Sequence, residues 1–265
     1  MFRRARALGF LSALLACHHV PVATAADRKR PYDVPASQVE IGSYLIHQKS
    51  LSGVAEIGTY LPLKWTRFHS DSLDWKVEGA FSYFSKRGDG WRSLVAASGF
   101  RYWIDGSTSI TPLLRLGVAR AKGGSRPMLA YGADVLFEKS FTLDPDGDHR
   151  AHQLAIVEAQ AGMMAYRGRG ADASTRYGFV VATASYDWPF WRESWDDAHR
   201  KRAKLGLGVE NQFGPGRAVE RLFFAALSLR SEDPRTGRLF HKLDLSAGIG
   251  ERSQHRLTLG YMRGF

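Results

Sequence analysis

The sequence is poor in the features that stabilise most small exported or membrane-spanning proteins. Of its 265 residues only Cys17 is a cysteine, which excludes an intrachain disulfide framework and a cysteine-based zinc cluster. After Asp27 no apolar run reaches the roughly 18 residues that a membrane-spanning helix needs, and helical periodicity is weak throughout. Hydrophobic residues still make up 44% and charged residues 24% of the chain, which excludes a disordered protein.

Acidic residues are also few relative to basic ones. The chain has 37 Lys and Arg against 26 Asp and Glu, a formal charge of +11, and such an excess first suggests nucleic-acid binding. The N-terminus argues otherwise. Arg3, Arg4 and Arg6 precede an apolar stretch over residues 7–16 and a small-residue end at 23–26, which is typical of a cleaved secretory signal. Because exported chains rarely meet nucleic acid, we predict no nucleic-acid partner.

The sequence divides into three parts on these grounds. Residues 1–26 are the predicted signal peptide, residues 27–37 a proline-containing periplasmic lead-in, and residues 38–265 a single outer-membrane domain. One alternative concerns Cys17, because Leu14-Leu15-Ala16-Cys17 has the form of a lipobox. Cys17 is then either a lipidated N-terminus or an ordinary residue that is removed with the signal.

From Gln38 onward the chain alternates apolar residues with polar or small ones. Leu243, Leu245 and Ile249, for example, alternate with small or charged residues. A period of two puts one set of side chains on each face of a β-strand. The pattern predicts about twelve strands, with about 10 to 14 as the range. They begin near Gln38, Val54, Leu73, Trp91, Ser107, Met128, His152, Thr175, Arg202, Val219, His241 and His255.

Strand length separates a soluble sandwich from a membrane barrel. Runs such as 107–120 and 152–166 are longer than the five or six residues of an average strand, and membrane strands need about 9–11 residues. Aromatic residues gather near strand ends, as they do at membrane interfaces; these are Trp65, Trp75, Trp91, Tyr102, Trp103, Trp188, Phe190 and Trp191. The sequence therefore predicts an all-β fold, a transmembrane antiparallel β-barrel integral to the outer membrane.

The last strand supports this prediction by resemblance. Leu257, Leu259, Tyr261 and the final Phe265 resemble the assembly signal of Gram-negative outer-membrane proteins. Arg263 departs from that signal, since an aromatic residue usually stands third from the end. The resemblance implies recognition by the barrel assembly machinery and insertion among outer-membrane lipids and lipopolysaccharide.

A second resemblance covers about a quarter of the chain and has no catalytic motif. The stretch from Tyr186 to Ser194, followed by the strand from Lys204 to Phe213, is similar to the C-terminal barrels of phage-adsorption and exopolysaccharide-secretion proteins. This similarity implies a role in envelope transport, with a polysaccharide and a periplasmic export protein as partners.

The inward face of the predicted barrel is charged. Assigned by parity, eight acids and six bases point inward and give the lumen a net charge of about −2. They form either a paired network that supports the wall or a hydrated path that binds sugars or ions. The predicted lumen-lining residues are Glu40, Glu56, Lys76, Glu78, Arg101, Arg115, Asp134, Glu138, Glu158, Glu210, Arg230, Lys242, Asp244 and Arg256.

No catalytic, metal or cofactor site is predicted. The acidic turn 144–148 does not follow the calcium-loop pattern. The run 196–199 has a carboxylate and imidazole within a charged turn, and the consecutive residues 69–71 cannot easily meet in triad geometry. His241 and Ser246 are the residue types of a lipid-cleaving barrel enzyme, without its motif.

Basic residues concentrate between the predicted strands, at 86–87, 120–126, 167–169 and 199–204. They are either solvated loops or contacts to lipopolysaccharide phosphates or an anionic polysaccharide. With an even strand count, the long connection 188–201 falls on the periplasmic side, where such barrels usually have short turns. The strand count is then off by one, or a periplasmic partner binds there.

Three functions are compatible with these features. The first is a narrow, porin-like conduit that secretes or passes a polysaccharide or another polar solute. The second is a closed structural or receptor barrel that binds a phage or a surface partner. The third is a barrel enzyme that cleaves lipid or peptide, although we predict that the protein is not an enzyme.

Overall fold

A computed structural model describes residues 37–49, 55–70, 72–85, 91–121, 126–143, 153–168, 175–190, 200–214, 220–233, 238–251 and 254–265. The predicted signal peptide, most of the lead-in and Cys17 lie outside these residues. In the part of the chain that is described, no helix is both long and apolar enough to cross a membrane.

Twelve strands account for almost all of the described residues, and each begins within two residues of its predicted start, so the predicted strand count is confirmed. The strands are β1 (Ser37–Lys49), β2 (Ala55–Ser70), β3 (Leu73–Ser85), β4 (Trp91–Asp105), β5 (Thr108–Ala121), β6 (Met128–Thr142), β7 (Leu154–Arg167), β8 (Thr175–Pro189), β9 (Arg200–Phe213), β10 (Glu220–Glu232), β11 (Leu239–Gly250) and β12 (His255–Gly264).

Each strand pairs antiparallel with its neighbours in the chain, and β1 closes the sheet on β12. The closing register runs from Glu40 opposite Gly264 to Lys49 opposite His255. Closure leaves no edge strand and satisfies the backbone hydrogen bonds within the sheet, which lipid requires. The predicted fold class, an all-β antiparallel barrel, is confirmed.

The alternation in the sequence produces two different faces. On β5, Leu114 and Leu116 are 73% and 61% exposed on the outer surface, whereas Leu113 points inward and is 4% exposed. An outward band of large apolar residues is unfavourable in water and stable in lipid.

The two ends of the barrel differ in their connections. The end that carries Ser37 and Phe265, here called the terminal end, also carries the connections 143–153 and 190–199. The half of the lumen next to it is the terminal half, and the other is the opposite half.

The predicted connection 188–201 is wrong at both margins, because Trp188 and Pro189 belong to β8 and Arg200 begins β9.

Aromatic residues lie on the outer face near the terminal end. Trp65 meets Trp75 edge-on at 5.1 Å between ring centroids, and Tyr186 stacks on Trp188 at 5.1 Å. Trp103 was predicted to join this girdle, but it faces inward, since its indole Nε1 donates to Asp74 at 3.0 Å. Trp191 lies outside the described residues.

Candidate functional site

The fourteen charged residues predicted for the lumen occupy strand positions that alternate with the lipid-facing ones. The terminal half holds Glu40, Lys76, Glu78, Arg101, Glu138, Glu158, Arg230, Lys242 and Asp244. Arg115 and Asp134 lie midway along their strands. The opposite half holds Glu56, Glu210 and Arg256.

Seven further charged residues with described side chains share this inward face and were missed in the sequence. Asp74 has the parity of the predicted Lys76, so the pattern could have found it. Asp187 lies on β8, where either parity gives an acceptable apolar face. Arg202 and Lys204 were counted among the basic residues between strands, although a strand was predicted to begin near Arg202, and both lie in β9. The missed residues are Lys64, Asp74, Asp187, Arg202, Lys204, Glu220 and Glu232.

Asp187 is the centre of the most buried charged cluster. Its carboxylate is fully buried and accepts from Arg202 Nε at 2.7 Å, and Arg202 itself is 2% exposed. A second guanidinium, that of Arg230, lies 2.7 Å from the other carboxylate oxygen and donates to Glu232 at 2.9 Å. Because an unpaired buried charge is strongly unfavourable, each member depends on the others.

Asp74 on β3 forms a similar centre on another part of the wall, with four strands between β3 and β8. Arg101 donates to one Asp74 oxygen through Nε at 2.8 Å and through Nη2 at 2.5 Å. The indole of Trp103 donates to the same oxygen, and the Arg101 guanidinium lies 4.6 Å from the Trp103 ring centroid. This contact fixes the direction in which Arg101 and Trp103 point into the lumen.

Two lysines of the terminal half are held by carboxylates. Lys204 lies 2.7 Å from Glu158, which also accepts from Thr183 at 3.2 Å. Lys242 lies 3.0 Å from Asp244, and the Tyr44 hydroxyl donates to the same carboxylate at 2.7 Å.

Farther along the lumen the charges become sparser. Arg115 pairs with Asp134 at mid-height, and Gln160 donates to Asp134 at 2.6 Å. In the opposite half Arg256 lies 2.5 Å from Glu210.

These ion pairs follow the wall of the barrel. Arg101 and Asp74 lie on adjacent strands, as do Arg115 and Asp134. The widest pair is that of Arg256 on β12 with Glu210 on β9, which passes over two intervening strands. Because the partners belong to nearby strands, the pairs hold the side chains against the wall rather than across the barrel axis.

A cavity of about 520 Å³ occupies the terminal half. Its lining combines charges of both signs with aromatic residues that include Phe68 and Trp103. A cavity of about 130 Å³ lies at the opposite end, bounded by residues that include Gln48, Glu210 and Arg256. The charged side chains around the larger cavity are Glu40, Lys64, Lys76, Glu78, Arg101, Arg230, Glu232 and Lys242.

Aromatic rings occupy much of the opposite half. Tyr166 stacks on Tyr177 with 6.3 Å between centroids, and Phe179 follows at 6.4 Å. Phe84 lies over its cross-strand partner Gly58, where a Cβ atom would overlap the ring. Glycine on the inward face therefore makes room for a neighbouring ring.

In the described part of the chain, the candidate catalytic residues His241 and Ser246 do not lie together. His241 points outward, where its Nδ1 lies 2.6 Å from the Tyr261 hydroxyl, whereas Ser246 has inward parity on the same strand. Asp71 and the runs 144–148 and 196–199 lie outside the described residues. Within the described ranges, no group of three or more His, Cys, Asp and Glu is placed to hold a metal ion.

The residues of the predicted assembly signal share the lipid-facing side of the last strand. Leu257, Leu259, Tyr261 and Phe265 are each about half exposed. Arg263, which departs from the signal, lies with its guanidinium 5.1 Å from the Phe265 ring centroid. Recognition by the assembly machinery stays a prediction.

Comparison with known proteins relates the fold to outer-membrane barrels. No family model and no curated protein matches the chain. The β-domain of the Bordetella autotransporter BrkA is similar in structure, with a TM-score of 0.62 and 13% identity over 86% of this chain and 99% of that one. The translocator domain of the autotransporter NalP from Neisseria meningitidis gives 0.57 and 12% over 98% and 97%.

An outer-membrane channel from Pseudomonas putida is also similar, with a TM-score of 0.51 and 12% identity over 90% of this chain and 99% of that one. Likeness at this identity is a likeness of fold. Together with the apolar outer band, it confirms the predicted outer-membrane β-barrel and its integral place in the outer membrane. The resemblance to phage-adsorption and exopolysaccharide-secretion barrels stays a prediction.

Proposed function

We propose that the protein is a narrow outer-membrane conduit for polar solutes, and that a polysaccharide or oligosaccharide is the solute it passes. The observation that carries the proposal is the cavity of about 520 Å³ in the terminal half, lined by charged side chains and by Phe68 and Trp103.

The chemistry of this cavity suits a sugar chain better than a single ion. Cationic and anionic groups alternate around it, as Lys64 and Lys76 do with Glu40 and Glu78. Such a lining offers both donors and acceptors to hydroxyl groups. Aromatic rings present a flat apolar surface to the C–H face of a sugar, and Trp103 is fixed for that purpose by Asp74.

The arrangement of the ion pairs supports an open path. An eight-stranded barrel is filled by its own side chains, whereas about sixteen strands leave an aqueous channel. With twelve strands, the side chains decide the bore. Here the charges are held along the wall by partners on nearby strands, as with Lys204 and Glu158.

Planar-bilayer recordings and liposome-swelling assays with sugars of graded size test the proposal. We expect ion conductance and size-limited sugar flux from the wild-type barrel. Thr66→Trp adds bulk to the cavity lining, so we expect it to lower both. The matched control is Leu61→Trp, on the lipid-facing side of the same strand, which we expect to leave both unchanged. A wild-type barrel with neither conductance nor flux overturns the proposal.

A closed structural or receptor barrel is the second candidate, and the opposite half favours it. The rings of Tyr166, Tyr177 and Phe84 occupy that half, and its cavity measures only about 130 Å³. This candidate predicts a silent wild-type barrel in which Tyr177→Ala or Phe84→Ala creates conductance. An enzymatic role draws no support from the described residues, because His241 and Ser246 face opposite sides of the wall.

A further inference from the structure

Exposed arginines gather on the lipid-facing side of the barrel at the end opposite the chain termini. Those of β4 to β8 and of the residues just before β6 form what we call the arginine arc. Its members are Arg92, Arg120, Arg126, Arg167 and Arg176, all exposed.

The sheet register brings these guanidinium groups together. Arg92 and Arg120 are directly paired across β4 and β5, on the outward parity of both strands. Arg176 is paired with Ala165, two residues before Arg167, so the two arginines are diagonal neighbours. Guanidinium groups that lie side by side on one face can donate together to one phosphate group.

The described strand positions beside the arc are apolar. Among the described outward strand positions of β4 to β8 the one acid is Asp105, which lies at the terminal end, pairs with Thr108 and is 3.3 Å from Lys139. Next to Arg92 and Arg120 on the same face are Leu94 and Val118, which are 57% and 49% exposed and paired with each other. Leu129 continues this row on β6. A cationic row thus borders an apolar row on the surface that meets lipid.

We propose that the arginine arc binds the phosphate groups of lipopolysaccharide, whose acyl chains then lie on Leu94, Val118 and Leu129. Guanidinium groups bind phosphate through two parallel hydrogen bonds, and Arg suits this role better than Lys. A phosphate bound between Arg92 and Arg120 would accept hydrogen bonds from both guanidinium groups. The end opposite the termini then lies in the outer leaflet, and the site is independent of whether the lumen conducts.

The test measures binding of lipopolysaccharide to the purified full chain in detergent, by native mass spectrometry. The probe is lipopolysaccharide with both lipid A phosphates, compared with the same material after phosphatase treatment. The variant carries Arg92→Gln, Arg120→Gln, Arg167→Gln and Arg176→Gln. Because a basic residue near an anionic lipid surface contributes measurably to binding, we expect affinity to fall by about tenfold or more.

The control variant carries Arg67→Gln and Arg263→Gln, two exposed arginines on the outer face at the terminal end, and should bind like wild type. If the fourfold variant does not regain β-sheet circular dichroism, Arg92→Gln with Arg120→Gln replaces it, with a smaller loss expected. Equal binding by arc and control variants overturns the proposal, as does equal binding of the dephosphorylated probe. Displacement by millimolar inorganic phosphate alone would indicate a free-anion site and also overturn it.

Discussion

The two halves of the lumen are built from the same strands with different side chains. The terminal half concentrates lysines, among them Lys64, Lys76 and Lys242, around a cavity of about 520 Å³. In the opposite half the rings of Tyr166 and Tyr177 replace most of these charges, and the cavity there is about 130 Å³. The lumen therefore has a larger charged cavity in the terminal half, here called the vestibule, and a smaller cavity in the opposite half, here called the narrower segment.

A single strand shows how this difference arises. Along β9 the inward positions begin with Arg202 and Lys204, pass through two glycines and end near Glu210. The alternation along β9 places all these residues on the inward face of the barrel. The groups that surround each residue depend on its position along the strand. A period of two therefore determines on which side of the wall a residue lies, whereas its height along the strand determines which groups surround it.

The two halves are also stabilised differently. Buried ion pairs such as Asp187 with Arg202 hold the terminal half. In the opposite half, rings packed over glycines, such as Phe84 over Gly58, fill space without charge. Substitutions that disrupt one buried ion pair or one ring–glycine contact at a time test whether the two halves are stabilised in these different ways.

Asp187→Ala is expected to have the largest effect. The substitution leaves Arg202, 2% exposed, without its carboxylate and removes one partner of Arg230. Breaking a buried pair in this way costs about 3–5 kcal/mol. We expect that loss in the free energy of unfolding, measured by urea titration of the barrel in phospholipid vesicles with tryptophan fluorescence as the signal.

Glu220→Ala is the matched control for Asp187→Ala. Glu220 is also an inward acid, but it lies at the opening of the opposite half, beside the small cavity, and is only half-buried. Partly exposed charges contribute about 0–1 kcal/mol. Equal losses for the two substitutions would contradict the view that buried pairs stabilise the terminal half in particular.

Gly58→Val tests the packing of the opposite half. The added side chain meets the Phe84 ring, which must move or leave its rotamer. Overpacking of this kind costs about 1–3 kcal/mol. The measurement is the same urea titration, with liposome swelling as a second readout of the narrower segment.

The control for this substitution is Gly79→Val on the neighbouring strand. Gly79 has outward parity, and a Cβ atom there meets nothing within 4 Å. We expect its unfolding free energy to stay within about 0.5 kcal/mol of wild type. If both valine variants unfold alike, the glycine at position 58 is not required by the Phe84 ring.

The fold could be predicted from the sequence because membrane-spanning strands have a strong alternation of apolar and polar residues. Long alternating runs separated by turn residues located all twelve strands, and β8 was the one strand whose inward face stayed ambiguous. On β8 the outward residues include small ones such as Ala182 and Ala184, so hydrophobicity alone does not separate the faces. The pairing of Thr183 with Glu158 fixes the parity and brings Asp187 inward.

The details of the lumen required the register. Arg202 and Lys204 follow a charged run and look like loop residues, yet their partners Asp187 and Glu158 draw them into the sheet. Nor does the sequence say that Phe84 lies opposite Gly58, since that depends on which residues the β2–β3 turn aligns. The local sequence pattern predicts which face of the sheet a side chain lies on. Which side chains become its neighbours depends on the register between strands.

If the barrel is the proposed conduit, the charges that line its lumen determine its ion selectivity. Lys64 and Lys76 line the cavity of the terminal half, whereas Glu56, which accepts from Gln48 at 3.0 Å, belongs to the opposite half. One charge about 6 Å from a passing ion in water is worth about 0.7 kcal/mol, or roughly threefold in relative permeability. Neutralising a lumen charge should therefore shift selectivity by about that factor.

The double substitution Lys64→Gln with Lys76→Gln is expected to shift selectivity towards cations, because the cavity lining, with five basic and three acidic side chains, then has three of each. Glu56→Gln is expected to favour anions, because it removes negative charge from the narrower half. Reversal potentials across a salt gradient in planar bilayers measure both shifts, which should have opposite signs. If only the Glu56 variant changes selectivity, the narrower half alone controls ion passage, and the vestibule serves to bind larger solutes. Shifts of the same sign would contradict a direct electrostatic effect of these side chains on passing ions.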